Sequence, residues 1–203
     1  MSLKLYYFPF RGRGEQIRLL LNTLEVPFED VHVGRDEFME LKRQGPTKLH
    51  FGSLPLLEDG ELRLVEGPAI MSYIGHMHGA APGDRQLSAR AESINLGAED
   101  LRMQYFKLFG DGEKEKQKSF LAGGWVDRWL PGLDYLLELN DDSGVFVGSK
   151  LSFADVAVWD VLDAMLTYVD GASLESSPRV RAFYDAFAAR KPVAAYLAAR
   201  PAE

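Results

Sequence analysis

Residues 79–86, GAAPGDRQ, separate two stretches of chain whose apolar residues recur with different periods, so one continuous layer architecture cannot account for both. Upstream, Leu3, Leu5 and Tyr7 alternate with Lys4 and Tyr6 as a strand does, and Pro9, which has no ladder donor, ends the run. Gly12 and Gly14 follow, and Ile17, Leu20, Leu21 and Leu24 then recur at helical spacing. After Pro27 a second strand is expected over 29–33. A short helix over 36–44 places Phe38, Leu41 and Lys42 on one side before Gly45-Pro46 breaks it. Residues 54–57 and 62–65 flank Asp59-Gly60 as a hairpin, and Pro68 sits in the first turn of a helix over Gly67–Met77. Strand, helix, strand, helix, hairpin, helix is an α/β unit with a mixed sheet.

Downstream the period is helical throughout. Helices are expected over 87–109, over 113–140 with an interior break at Pro131, and over 178–189 and 192–199, with 145–147 as a brief extended piece. Ser152 and Asp155 have the spacing of a capping box at the start of another helix, which makes Asp155 a structural carboxylate. The expected organisation is an α/β domain at 1–78, a linker at 79–86 and an all-helical domain at 87–203.

With 203 residues, 46% of them hydrophobic, the chain has enough apolar material for real cores. Its net charge of −7 argues against a nucleic-acid partner. The absence of cysteine excludes disulfides, thiolate metal sites and a cysteine nucleophile, so any thiol chemistry must come with a ligand. The start, MSLKLYY, lacks a long apolar region, and no run approaches the roughly 18 residues of a membrane span. A cytoplasmic protein with no membrane partner is the expectation.

The densest chemistry lies in KLYYFPFRGRGEQIR, residues 4–18, where a strand runs into a helix start. Unpaired amides and a positive dipole end fall beside Tyr7, Arg11 and Arg13, which suits an anionic group. Alternation alone does not choose between Tyr6 and Tyr7.

The order YFPFRGR, FGSLP, DGELRLVEGPAI, GAEDLR and GSKLSFADV, spread over essentially the whole chain, resembles the cytosolic glutathione transferases that use a tyrosine, the pi and sigma groups above all. The resemblance implies a thioredoxin-like first domain with a four-stranded mixed sheet, a cis Leu54-Pro55 bond and glutathione as cosubstrate, with no metal. It implies conjugation of the glutathione thiolate to small hydrophobic electrophiles in detoxification. The same thiolate would serve isomerisation or peroxide reduction, and a non-catalytic carrier of apolar ligands is the alternative from another class.

Residue by residue, the resemblance makes Tyr7 the group that meets the thiol. It makes Arg13, Phe38, Lys42, Ser53, Leu54, Pro55, Glu66, Gly67 and Asp100 the glutathione contacts, Asp100 acting from the other subunit. Phe8, Phe10, Phe106 and Gly110 line the electrophile side, and Phe51 plugs into a partner in a homodimer. Phe38 replaces the commoner tryptophan, and Glu66-Gly67 replaces a Gln-Ser pair. Gly67 therefore lacks a hydroxyl for the γ-glutamyl carboxylate, a hydrogen bond worth about 1.5–3 kcal/mol, and weaker glutathione binding or a preference for a modified thiol is expected.

Overall fold

The computed structural model describes residues 3–141 and 143–200, so the outermost ends of the expected domains, at 1 and 203, lie outside the described residues. The chain divides into two compact units, Met1–Gly79 with Lys191–Glu203, and Ala80–Arg190.

The first unit is built from β1 (Leu3–Tyr7), α1 (Glu15–Thr23), β2 (Phe28–His32), α2 (Arg35–Arg43), a 3-10 turn (Gly45–Thr47), β3 (Leu56–Asp59), β4 (Leu62–Val65) and α3 (Gly67–Met77). The sheet order is β2-β1-β3-β4. β1 runs parallel to β2, with Leu3 opposite Phe28 and Tyr7 opposite His32, and antiparallel to β3, with Leu5 opposite Leu57. The pleat sends Leu3, Leu5 and Tyr7 into the core. Tyr6 takes the other face, where its hydroxyl donates to Glu58 at 2.9 Å. Partial burial, and then Glu58, push the Tyr6 phenol up to about 12, so it stays a donor at neutral pH. β3 begins at Leu56 rather than at 54, because Pro55 brings no ladder donor; the Leu54-Pro55 peptide is cis.

The last helix, α9 (Lys191–Ala199), belongs to this unit, so the expected all-helical domain at 87–203 gives up its end. The reason is chemical: Tyr196 Oη donates to Glu15 Oε1 at 3.0 Å and Arg200 Nη1 to the same oxygen at 3.1 Å, satisfying a carboxylate buried in α1.

The second unit holds α4 (Arg85–Phe106), α5 (Glu113–Ser119), a π-helical segment (Phe120–Trp129), α6 (Leu130–Leu139), α7 (Phe153–Tyr168) and α8 (Pro178–Ala188). Part of the expected linker is built into it: Ala80 is buried and its carbonyl accepts from the Phe153 N–H at 2.9 Å, while the Asp84 carboxylate caps α4 through the Gln86 and Leu87 amides. Pro131 does not break the chain. It lies in the first turn of α6, and the helical path continues into it from the wider π register upstream. Nor is 145–147 a strand. These residues form buried bends, and the Phe146 N–H donates to Asp155 Oδ1 at 2.7 Å instead of joining a ladder. Asp155 Oδ2 accepts the Ser152 N–H and hydroxyl, both at 2.7 Å, so the capping box is formed. Burial pushes the Asp155 carboxyl up, against the pull of these donors.

Candidate functional site

The first unit gathers most of the candidate residues around the end of β1. Tyr7 is the last residue of the strand, 5% exposed, and its hydroxyl accepts the Arg13 backbone N–H at 2.9 Å. Such closeness requires glycine in the intervening loop. A Cβ on Gly12, whose φ is +42°, would fall 2.5 Å from Tyr7 Oη, and one on Gly14 would meet the Tyr7 ring. The spacing of Gly12 and Gly14 thus serves the approach of backbone to phenol, and α1 starts immediately after, with the positive end of its dipole beside the loop.

Arg18 holds this loop and was not singled out by the sequence. It is 6% exposed; Nη2 donates to the Phe8 carbonyl and Nη1 to the Phe10 carbonyl, each at 3.0 Å, and Nε pairs with Asp30 at 2.8 Å. Its guanidinium carbon also stands 5.7 Å from the centre of the Tyr7 ring. No signal for it stands in the sequence: Glu15, Arg18, Asn22 and Glu25 recur at three- and four-residue spacing as an ordinary polar stripe does, and the burial of that stripe comes from other elements.

Aromatic rings surround the tyrosine. Phe8 and Phe10 stack at 5.3 Å with planes 7° apart, both meet Tyr7 edge-on, and Phe38 meets Phe8 edge-on at 5.3 Å. Phe10 is half exposed and presents an apolar ledge. Lys42 sits over Phe38, with Nζ 5.4 Å from the ring centre, and keeps an exposed ammonium there. Leu54 packs in the buried cluster with Tyr7, Val33 and Leu56; Pro55 is buried beside it and Ser53 is half-buried.

At the start of α3, Glu66 is exposed with φ +73° and ψ 112°, a strained conformation for a residue with a side chain. Gly67 is buried, and a Cβ on it would lie 2.8 Å from Gln16 Nε2 and 3.9 Å from the Arg13 carbonyl. The carboxamide of Gln16 therefore occupies the space in which a larger residue 67 would carry its side chain, a relation the sequence analysis missed.

The remaining candidates are spread elsewhere. Asp100 is exposed on α4, and Phe106, 38% exposed, ends that helix against Tyr105; Gly110, with φ +84°, follows in the turn. Phe51 is 74% exposed in the first unit. Within the second unit, α4, the π segment, α6 and α7 line an open, largely apolar pocket of about 290 Å³, bordered by Ile94, Gly97, Leu101, Trp129, Leu133 and Val161 among others. Among the described residues there is no cluster of three or more metal-binding side chains, and no helix is long and apolar enough to cross a membrane.

Comparisons with known proteins bear on this arrangement. Residues 1–76 match the sequence family described as glutathione S-transferase, N-terminal domain, and residues 99–200 match glutathione S-transferase, C-terminal domain. The chain is similar to glutathione S-transferase P 1 of Xenopus laevis, with 31% identity over 95% of this chain and 90% of that protein. It is similar to a glutathione S-transferase of Dirofilaria immitis, with 30% identity over 100% of this chain and 95% of that one. The crystal structure of the glutathione S-transferase from Ascaris lumbricoides superposes with a TM-score of 0.88 at 25% identity, covering 100% of this chain and 99% of the other.

Proposed function

This chain belongs to the glutathione S-transferase family and is a transferase with glutathione as cosubstrate, and from that membership we propose that Tyr7 holds the bound sulfur as a thiolate for attack on an apolar electrophile. The observation that carries this reading is the 2.9 Å bond from the Arg13 amide to Tyr7 Oη. A phenol that accepts an amide hydrogen bond becomes a stronger donor through its own O–H, and the loop fixes its direction. A free thiol has a pKa of about 8.5 and is mostly protonated at pH 7. Lowering that value by two units takes about 2.7 kcal/mol. One charge-assisted hydrogen bond supplies about 1.5–3 kcal/mol, and the nearby start of α1 adds about 0.3–1 kcal/mol. The thiolate then forms the new carbon–sulfur bond, and the leaving group departs with its electron pair. Tyr7 donates throughout and need not ionise.

The same reading gives the peptide its other contacts. Arg13 and Lys42 face its carboxylates, Phe38 covers the glycine end, and Ser53, Leu54 and Pro55 meet the cysteinyl part, with the Leu54 backbone as its partner. Glu66 accepts from the α-ammonium, aided by Asp100 of a second copy, while Gly67 offers its backbone amide. Phe8 and Phe10 offer an apolar wall to the electrophile, whose class is set by size and hydrophobicity.

The assembly is a two-fold homodimer in which Phe51 of each copy fills the apolar pocket of the other. An aromatic ring 74% exposed in one unit and an open apolar pocket of about 290 Å³ in the other support it, since an isologous contact uses both twice. A cytoplasmic, detoxifying role accords with this chemistry.

The test is conjugation of glutathione to a chloronitrobenzene by wild type and Tyr7→Phe, with glutathione binding measured separately. Loss of activity with binding retained is the expected result. Equal activity in the variant would contradict the role of Tyr7.

A further inference from the structure

The loop that carries the Arg13 amide to Tyr7 has little regular structure of its own, so something must fix it. Two of its carbonyls, those of Phe8 and Phe10, accept from one guanidinium, that of Arg18, at 3.0 Å each. Arg18 is in turn held by anions on two elements: Asp30 on β2 at 2.8 Å, and Glu15 one turn earlier in α1 at 3.9 Å. Asp30 also receives the His32 ring nitrogen at 3.1 Å, and Glu15 is fixed by Tyr196 of α9 and by Arg200, the residue after that helix. Burial, and then Glu15, push the Tyr196 phenol up, so it remains a donor to that carboxylate.

We propose that Arg18 is a positioning residue of the transferase site: it locks the 8–13 loop from behind so that the Arg13 amide stays on the Tyr7 hydroxyl. This rests on the role given to Tyr7 above. Arginine suits the task because a planar fork reaches two carbonyls and a carboxylate at once, which a lysine ammonium at the same depth cannot do. If the lock loosens, the Arg13 amide drifts from Tyr7, the phenol donates less well, and the bound thiol holds its proton to higher pH. A misplacement of about 1 Å in such a constellation costs up to roughly a hundredfold in rate.

The experiment is the pH profile of kcat/KM for glutathione in wild type, Arg18→Lys, Asp30→Asn and Tyr7→Phe, with the glutathione dissociation constant and the melting temperature measured in parallel. The titratable and charged groups that surround the guanidinium are Asp30, His32, Glu15, Tyr7, Tyr196 and Arg200, and Tyr7→Phe is the reference among them. Arg18→Lys is expected to raise the acid-limb midpoint and to lower kcat roughly ten- to a hundredfold with glutathione binding within about threefold of wild type. Asp30→Asn, which keeps the guanidinium and loosens its anchor, moves the midpoint the same way by less, and it decides the matter should Arg18→Lys fail to fold. A midpoint that moves in Tyr7→Phe but stays in place in the folded Arg18 and Asp30 variants, with only the melting temperature lowered, overturns the proposal alone. A midpoint unmoved by Tyr7→Phe overturns the role of Tyr7 and this proposal with it.

Discussion

Arg18 and Arg102 are both arginines buried within helices, 6% and 2% exposed, and both pair with carboxylates, but the carboxylates of Arg102 lie on helices whereas Arg18 also reaches into a loop. Arg102 in α4 bonds Asp160 of α7 through Nη1 at 2.6 Å and Glu99 of its own helix through Nε at 3.1 Å. It therefore staples two regular elements together. Arg18 directs two of its nitrogens to carbonyls of an irregular loop. The lesson is that a buried cation on helices fixes packing, whereas one on loop carbonyls fixes where a reactive group stands.

The comparison is broken most severely at Arg102. Arg102→Met leaves Asp160 as a buried charge and is expected to cost about 3–5 kcal/mol in urea unfolding, with activity per folded molecule unchanged. Replacing both partners, as Arg102→Met with Asp160→Leu, should recover most of that loss. Arg18→Lys reverses the pattern. Its unfolding free energy falls by less, about 1–3 kcal/mol for the carbonyls left unserved, while activity falls far more. Equal activity losses per folded molecule in the two variants would dissolve the distinction.

Another effect bears on assembly. In the proposed dimer Phe51→Ala removes two rings, each with a burial worth about 1.5–3 kcal/mol, so sedimentation should show a dimer dissociation constant raised roughly a hundred- to ten-thousandfold. The smallest effect is at the start of α3. Gly67→Ser alone should leave the glutathione dissociation constant within about threefold of wild type, because its Cβ meets Gln16 Nε2 at 2.8 Å and the new hydroxyl is displaced. Combined with Gln16→Ala, it should tighten binding by up to about 1.5–3 kcal/mol. Tightening by the single substitution would show that Gln16 yields easily.

These contrasts also explain what the sequence disclosed. Hairpin chemistry at Asp59-Gly60 and the Pro68 helix start are local, so β3, β4 and α3 could be placed from a few neighbouring residues. The choice of Tyr7 over Tyr6 is not local. Both fit the alternation, and they part only through what each face meets, Arg13 on one side and Glu58 on the other. Arg18 was legible as a helical residue but not as a clamp, since its partners Phe8, Phe10 and Asp30 lie on other elements. The helical period of α9 identified the helix and said nothing of its destination, which Tyr196 and Arg200 settle through Glu15. For 145–147, β-branched residues suggested extension, whereas Asp155 supplied an acceptor that no strand propensity foresees. The Gln16 carboxamide beside Gly67 joins residues 51 positions apart, and no spacing rule links them.

The central claim, that Tyr7 donates to the glutathione sulfur and holds it as thiolate, is tested most directly by the ultraviolet difference absorbance of the bound thiolate, titrated against pH in wild type and Tyr7→Phe. The wild-type midpoint should fall near or below pH 7, about two units under the free thiol, and should return in Tyr7→Phe most of the way towards about 8.5. The same midpoint in both proteins, with glutathione bound in each, would contradict the account.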